Sequence, residues 1–211
     1  MKNLIIIGAR GYGRETYNIA LESNEFSKAY TIKGFLDDNK KALDGCTDYP
    51  PIIDSVEHYE IQTDDVFICA LGDVKYRKKY TDMILSRGGE FINVIHSTAY
   101  IGKNTRIGIG CILARYVNIS CDIKIGNFVC FQPFATVGHD CNIGNDCMLN
   151  TYSFCGGGVS LEDEVTLNTC AIIQPHKIIH KNATIGAGAF VIRDVESNTT
   201  VYGNPAQRLE Y

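Results

Sequence analysis

The chain has 211 residues, 45% of them apolar, and its 20 Lys and Arg face 24 Asp and Glu for a formal net charge of -4. That is enough apolar material for one or two folded domains, and the acidic balance argues against nucleic acid as a partner. The apolar run Leu4–Ile7 is too short for a signal sequence or a membrane span, so a cytoplasmic protein is expected, with its nine cysteines reduced.

From the N-terminus, Leu4–Ile7 reads as a buried strand. Gly8-Ala9-Arg10-Gly11-Tyr12-Gly13 follows as a glycine-rich turn, and a helix then runs to about Ser23. Such a turn lets backbone N–H groups at a helix N-terminus approach a phosphate. Its spacing is G-x-x-G-x-G, not the dinucleotide fingerprint G-x-G-x-x-G, so a ligand-free turn stays open as a reading. Tyr30–Leu36 is a second strand ending in Asp37-Asp38, where carboxylates hold ribose or base groups or simply make an acidic turn. Val66–Leu71 is a third strand, running into Gly72-Asp73 and a helix from about Lys75 to Ser86, and Phe91–Ile95 leads onward. Strands alternating with helices predict a small parallel α/β domain over residues 1–94, a truncated Rossmann-like sheet. Its ligand is expected at the strand C-termini, where Gly11, Gly13, Asp37 and Gly72 converge.

From Ile95 to Glu196 the pattern changes to a period of six. Every lead position from Ile95 through Ile101, Ile107 and Leu113 to Val191 is apolar, and the residue four places later is small or β-branched everywhere except at Lys177. Neither a helix nor a hairpin sheet has this period; short strands joined by sharp corners do. Three hexads per coil predict a β-solenoid of five to six coils in a domain spanning residues 95–211. Residues eighteen apart then stack in neighbouring coils, roughly 4.8 Å from each other.

That arithmetic singles out His139-Asp140, outside the core positions, with Cys121-Asp122 one coil earlier and Gly157-Gly158 one coil later. An outward imidazole beside a carboxylate suits a general base, and bare glycines stacked on it leave room for a thioester and a backbone N–H for an oxyanion. A solvated corner histidine would give the same letters. His176 and His180 stand in other hexad positions and read as surface residues. Cys111, Cys141, Cys147 and Cys155 occupy core-facing places, no CxxC pair occurs, and no metal is expected.

Several segments carry a family likeness. They are Ile7-Gly8-Ala9-Arg10-Gly11-Tyr12-Gly13, Gly34-Phe35-Leu36-Asp37-Asp38, Ala70-Leu71-Gly72 with Arg77, the hexads, Val137-Gly138-His139-Asp140-Cys141 and Gly203-Asn204-Pro205-Ala206. In this order the chain resembles the sugar-nucleotide acetyltransferases of the left-handed β-helix superfamily. That group is often labelled the sialic acid O-acetyltransferase family and includes the N-acetyltransferases of UDP-4-amino-sugars. The resemblance implies a left-handed parallel β-helix, a homotrimer, acetyl-CoA lying along the solenoid between subunits, and a nucleotide sugar, UDP-linked in the first instance, on the N-terminal domain. It implies His139 as base, Asp140 as its partner and the Gly157 amide as oxyanion donor. Gly11, Tyr12, Gly13, Asp37, Asp38 and Gly72 are then expected at the sugar nucleotide, and Gly156, Gly157, Gly186, Ala187 and Arg208 at acetyl-CoA.

The chain departs from that pattern at Tyr12 and Met148, where relatives often carry histidine, at Gln132, where some carry asparagine, and at Gln207, where lysine is usual. Three rival readings accompany N-acetylation: O-acetylation of a sugar hydroxyl, a metal-dependent hydratase of the carbonic-anhydrase type, and a non-catalytic nucleotide-sugar-binding protein of the same shape.

Overall fold

Leu4, Ile5 and Ile6 have no exposed surface, as a parallel strand covered on both faces requires. They belong to β1 (Lys2–Ile7), the middle strand of the first of two units into which the chain divides, Met1–Ser97 and the residues from Thr98 onward. The structure, a computed structural model, describes residues 1–209. In the first unit β2 (Tyr30–Leu36), β3 (Ile52–Asp54), β4 (Asp65–Cys69) and β5 (Glu90–Phe91) join β1 in an all-parallel sheet of order β3-β2-β1-β4-β5. Three of these strands match the expected apolar runs. The other two, β3 and β5, are only three and two residues long, too short to show a period. The third predicted strand ends early, at Cys69, and Ala70-Leu71 belong to the loop that follows.

Helix α1 (Gly11–Leu21) buries Gly13, Thr16, Ile19 and Ala20, the i, i+3, i+4 spacing of one helical face. Helix α2 (Val74–Ser86) starts at Asp73, whose carboxylate accepts from Lys75 N at 2.8 Å and Tyr76 N at 3.1 Å, a side-chain N-cap. Nothing comparable caps α1: Arg10 at its N-cap makes no side-chain hydrogen bond there.

The second unit is a left-handed prism of strands two or three residues long, all parallel except the last, Gln207–Arg208. One face has six strands, from Tyr100–Ile101 through Thr136–Val137 to Phe190–Val191, and the next has five, from Arg106–Ile107 to Ile178–Ile179. The third face includes Ile112–Leu113, Met148–Leu149 and Thr184–Ile185. Asn118 pairs with Thr136, Lys124 with Asn142 and Cys130 with Met148, so the eighteen-residue pitch holds on every face. Lead residues Ile119, Val137, Cys155 and Ile173 are wholly buried. Corners are turned by residues at φ near +60°, among them Asp122, Asp140 and His176, a conformation that Asn and Asp tolerate better than most residues.

The pitch fails once, in the last coil. Val195 bridges Ile179 and Thr200 pairs with Thr184, each sixteen residues on and not the expected eighteen. Asp194 lies at this shorter corner, where its carboxylate accepts from Ile178 N at 2.9 Å in place of a backbone carbonyl. Among the described residues no helix is long and apolar enough to cross a membrane.

Candidate active site

The corner between the six- and five-stranded faces holds the expected His139-Asp140 pair. His139 and Asp140 follow Val137 there, and Nδ1 of His139 lies 2.7 Å from Oδ2 of Asp140. With Nδ1–H donating to that carboxylate, Nε2 keeps its lone pair and is the acceptor for an incoming proton. Both side chains are more than half exposed, at 62% and 67%, so a substrate can reach them.

The ring lies over Gly157. A Cβ built there would fall 2.7 Å from both Cε1 and Nε2 of His139, so the imidazole occupies space that any other residue at 157 would fill. Gly156 N donates to the Ile173 carbonyl and Gly158 N to that of His139, while Gly157 N–H has no acceptor among the described residues. An unpaired amide thus lies beside an imidazole, the pairing that acyl transfer needs. One coil earlier, Asp122 accepts from Asn104 Nδ2 at 2.8 Å. That hydrogen bond first, then Cys121 and the nearby His139, hold its carboxyl below the usual range.

Not every expected acetyl-CoA residue lies here. Gly156 is buried, and a Cβ on it would stand 2.6 Å from Pro175 N, so the next coil packs on this glycine. Gly186 and Ala187 follow Ile185 on another corner of the prism, so one chain does not bring them to His139. Arg208 is exposed on the antiparallel strand that closes the described chain, and with Arg193 it lines an open cavity of about 640 Å³. The core cysteines have a packing role: burial pushes the Cys111 thiol up to about 12 and raises Cys141 and Cys155 as well.

The first unit has its own cavity, about 800 Å³, at the C-terminal ends of β1, β2 and β4. The connections from β1 and β4 leave in opposite directions there, the topological switch point at which open parallel sheets hold ligands. Tyr12, Asp37, Asp38 and Gly72 line it; Gly11 and Gly13 do not. Gly13 is buried, and a Cβ on it would collide with the Gly8 carbonyl. That glycine lets α1 seat against the end of β1, and Gly11 only opens the first turn. Asp37 is occupied by the loops, its Oδ2 accepting from Ala9 N at 2.9 Å and its Oδ1 from Asn39 N at 2.8 Å. Asp38 accepts from the Tyr80 hydroxyl, and that carboxylate, with burial, raises the Tyr80 pKa. Arg77, fully buried, donates from Nη1 to the Leu71 carbonyl at 3.1 Å and shapes the loop after β4.

Two family models match the chain, the PglD N-terminal domain over residues 3–84 and the GMPPB C-terminal domain over residues 92–187. Over nearly its whole length the chain is 31% identical to the GDP-perosamine N-acetyltransferase of Escherichia coli O157:H7, spanning 97% of this chain and 95% of the relative. The chain belongs to that N-acetyltransferase family. A galactoside O-acetyltransferase of Lactococcus lactis subsp. lactis is 30% identical over about half of each chain, 49% and 51%. PerB from Caulobacter crescentus, solved in complex with CoA and GDP-perosamine, superposes with a TM-score of 0.89 at 25% identity, covering 100% of this chain and 98% of that one.

For a member of this N-acetyltransferase family, the residues that escaped sequence reasoning are Arg10, Tyr76 and Tyr80 in the first cavity and Arg193 in the second. Tyr76 and Tyr80 are one helical turn apart on α2, a spacing that could have placed them on one face. Nothing in the sequence pointed α2 at Asp38.

Proposed function

We propose that this protein transfers the acetyl group of acetyl-CoA to the amino group of a nucleotide-linked amino sugar, with His139 as general base. The observation that carries the reading is the His139 imidazole, oriented by Asp140 and lying over the unpaired Gly157 amide. As the sugar amine adds to the thioester carbonyl, His139 Nε2 accepts its proton and the Gly157 N–H takes the oxyanion. Collapse of the tetrahedral intermediate breaks the C–S bond, and His139 returns the proton to the departing thiolate. No cysteine or serine nucleophile is required.

The cavity at the ends of β1, β2 and β4 is the nucleotide-sugar site, with the uncapped N-terminus of α1 facing the phosphates. The relative from E. coli is named for a GDP-linked sugar, so we take guanosine ahead of the uridine that the UDP-4-amino-sugar likeness suggested. Within the group labelled sialic acid O-acetyltransferase, we place the chain with the sugar-nucleotide N-acetyltransferases, acting in the cytoplasm.

We also read the protein as a homotrimer. Tyr116, Phe134 and Tyr152 form an exposed ladder along one corner, with ring centroids 5.1 and 4.8 Å apart. Tyr100, Phe154 and Ile172 stand exposed on the adjoining six-stranded face. His139 lies at the far edge of that face, where a neighbouring subunit would complete the site.

The galactoside O-acetyltransferase match supports a second reading, transfer to a hydroxyl by the same base. Mass spectrometry of products from GDP- and UDP-linked amino sugars and their hydroxy counterparts, each with acetyl-CoA, tests both. An N-acetylated product is expected, and His139→Ala should cut the rate by roughly 100- to 10,000-fold while sedimentation velocity still shows the wild-type assembly. Undiminished transfer in that variant would refute the mechanism.

A further inference from the structure

The floor beneath His139 has a second imidazole on its other side. Where a Cβ at Gly157 would meet His139, a Cβ at Gly158 would fall 2.5 Å from Nδ1 of His176. Two backbone bonds tie the three coils together at this point: Gly158 N donates to the His139 carbonyl at 2.8 Å, and His176 N donates to the Gly157 carbonyl at 3.0 Å. The coils of the two histidines therefore clasp the Gly157-Gly158 pair from either side, and each ring leans over one glycine. Being 37 residues from His139, His176 is one place off a two-coil stack, and for that reason sequence arithmetic sets it aside.

The two imidazoles differ in what holds them. His96, His139 and His180 each meet a carboxylate, of Glu22, Asp140 and Glu162, at 2.6, 2.7 and 3.0 Å. The His176 side chain has no hydrogen-bond or ion-pair partner among the described residues, and the residue is exposed. The charges around the floor are also uneven. Asp122 and Asp140 lie on the side of the preceding coils. On the other side the corner after Val191 carries Arg193, which shares its cavity with Arg208 and with the carboxylates of Asp194 and Glu196, the first of them engaged with Ile178 N.

This polarity sets the direction of a donor with a neutral thioester at one end and phosphates at the other. With the attacking amine at His139 and the carbonyl oxygen at Gly157 N–H, the sulfur and the arm behind it must leave away from the amine. Lys103, Asp122 and Asp140 leave the first side net negative, and Arg193 and Arg208 are the guanidinium groups that can pair with phosphates on the second. We propose that His176 is a positioning residue for the acyl donor, hydrogen-bonding the amide-bearing arm behind the thioester sulfur as it crosses Gly158 towards Arg193 and Arg208. This rests on the acetyl-CoA reading above.

The test compares full-length wild type with His176→Ala and His176→Gln. CoA binding is measured by calorimetry without acceptor, and steady-state rates are measured with acetyl-CoA and with S-acetylpantetheine, which keeps the arm and lacks the nucleotide phosphates. His176→Ala is expected to weaken CoA binding and raise KM for both donors by about 3- to 10-fold, the size of one hydrogen bond. Changes in kcat and in KM for the nucleotide sugar should stay within about twofold, and His176→Gln should recover most of the loss. Unchanged CoA affinity, a defect confined to kcat, or a KM effect absent with S-acetylpantetheine would each overturn the assignment. A wild-type protein that neither binds CoA nor transfers acetyl would bring down the proposed function with it, whereas a binding wild type matched by His176→Ala would bring down only the role of His176.

Discussion

With Nδ1 committed to Asp140, the only basic atom His139 can offer an amine is Nε2, and Nε2 points to the bare backbone at 157. A methyl group at that position tests the arrangement without touching a titratable group. Gly157→Ala would place Cβ 2.7 Å from Cε1 and Nε2 of His139, and Gly157 has no positive φ to make alanine unwelcome. The variant is therefore expected to keep its melting temperature within about 2 °C. Its kcat should fall by roughly 100-fold or more, the scale of losing an oxyanion donor, because the ring is pushed aside and the amide is covered. Paired thermal denaturation and kinetics check this; a variant with wild-type kcat would show that the floor is not the reaction site. Asp37 and Asp38 make the complementary point. Adjacent in sequence, they differ in work: Asp37 ties the loops after β1 and β2, and Asp38 faces the cavity with Tyr80.

At the scale of elements, the first unit depends on a polar tie between β2 and the start of β4. Asp65 is buried and accepts from Lys33 Nζ at 2.9 Å, the Tyr59 hydroxyl at 2.6 Å and Gln62 N at 2.9 Å. Burial alone would raise its pKa, but the hydrogen bonds from Tyr59, Lys33 and Gln62 outweigh it and the net shift is downward. A carboxylate with a depressed folded pKa contributes stability that is fully present above its unfolded value, about 4, and is lost as pH falls through the folded one. Asp65→Asn is accordingly expected to cost about 2 kcal/mol at pH 7, with Lys33 part-exposed and the loss set by hydrogen bonds to a charged group. The gap between variant and wild type should close as pH falls below about 4. Denaturant unfolding of both proteins from pH 7 down to pH 3 measures it, and a gap that stayed constant would rule out the ionised tie. In the solenoid the equivalent support is side chain to backbone across coils. Asn127 Oδ1 accepts from Ile109 N, Asn145 Oδ1 from Asn127 N and Asp163 Oδ1 from Asn145 N, a ladder at eighteen-residue spacing.

For the whole molecule, the two cavities belong to different units and bind different chemistry under the proposed function. Damage to one is then expected to leave binding at the other intact. Asp38→Ala removes the carboxylate that Tyr80 supports in the first cavity, and affinity for the nucleotide sugar should drop about 10-fold or more, as for a hydrogen bond to a charged group. CoA affinity, measured by calorimetry on the same sample, should remain within about twofold. Equal losses for both ligands would mean that Asp38 sustains the fold and does not contact the substrate.

The six-residue period was enough to establish the solenoid, its pitch, and the stacking of residue 139 on 157, because a repeat whose units touch only their neighbours converts sequence distance directly into position. The strand-and-turn punctuation likewise announced a parallel sheet, and a cavity lies at its C-terminal edge. Only the tertiary structure decided that Gly13 packs against Gly8 while Tyr12 lines the cavity, that Tyr80 reaches Asp38 across 42 residues, and that the last coil is two residues short, with Asp194 standing in for a backbone acceptor. The placement of His176 over Gly158 was decided there too. Each of these depends on side chains meeting across coils or connecting loops, and such contacts leave no periodic trace in the order of residues.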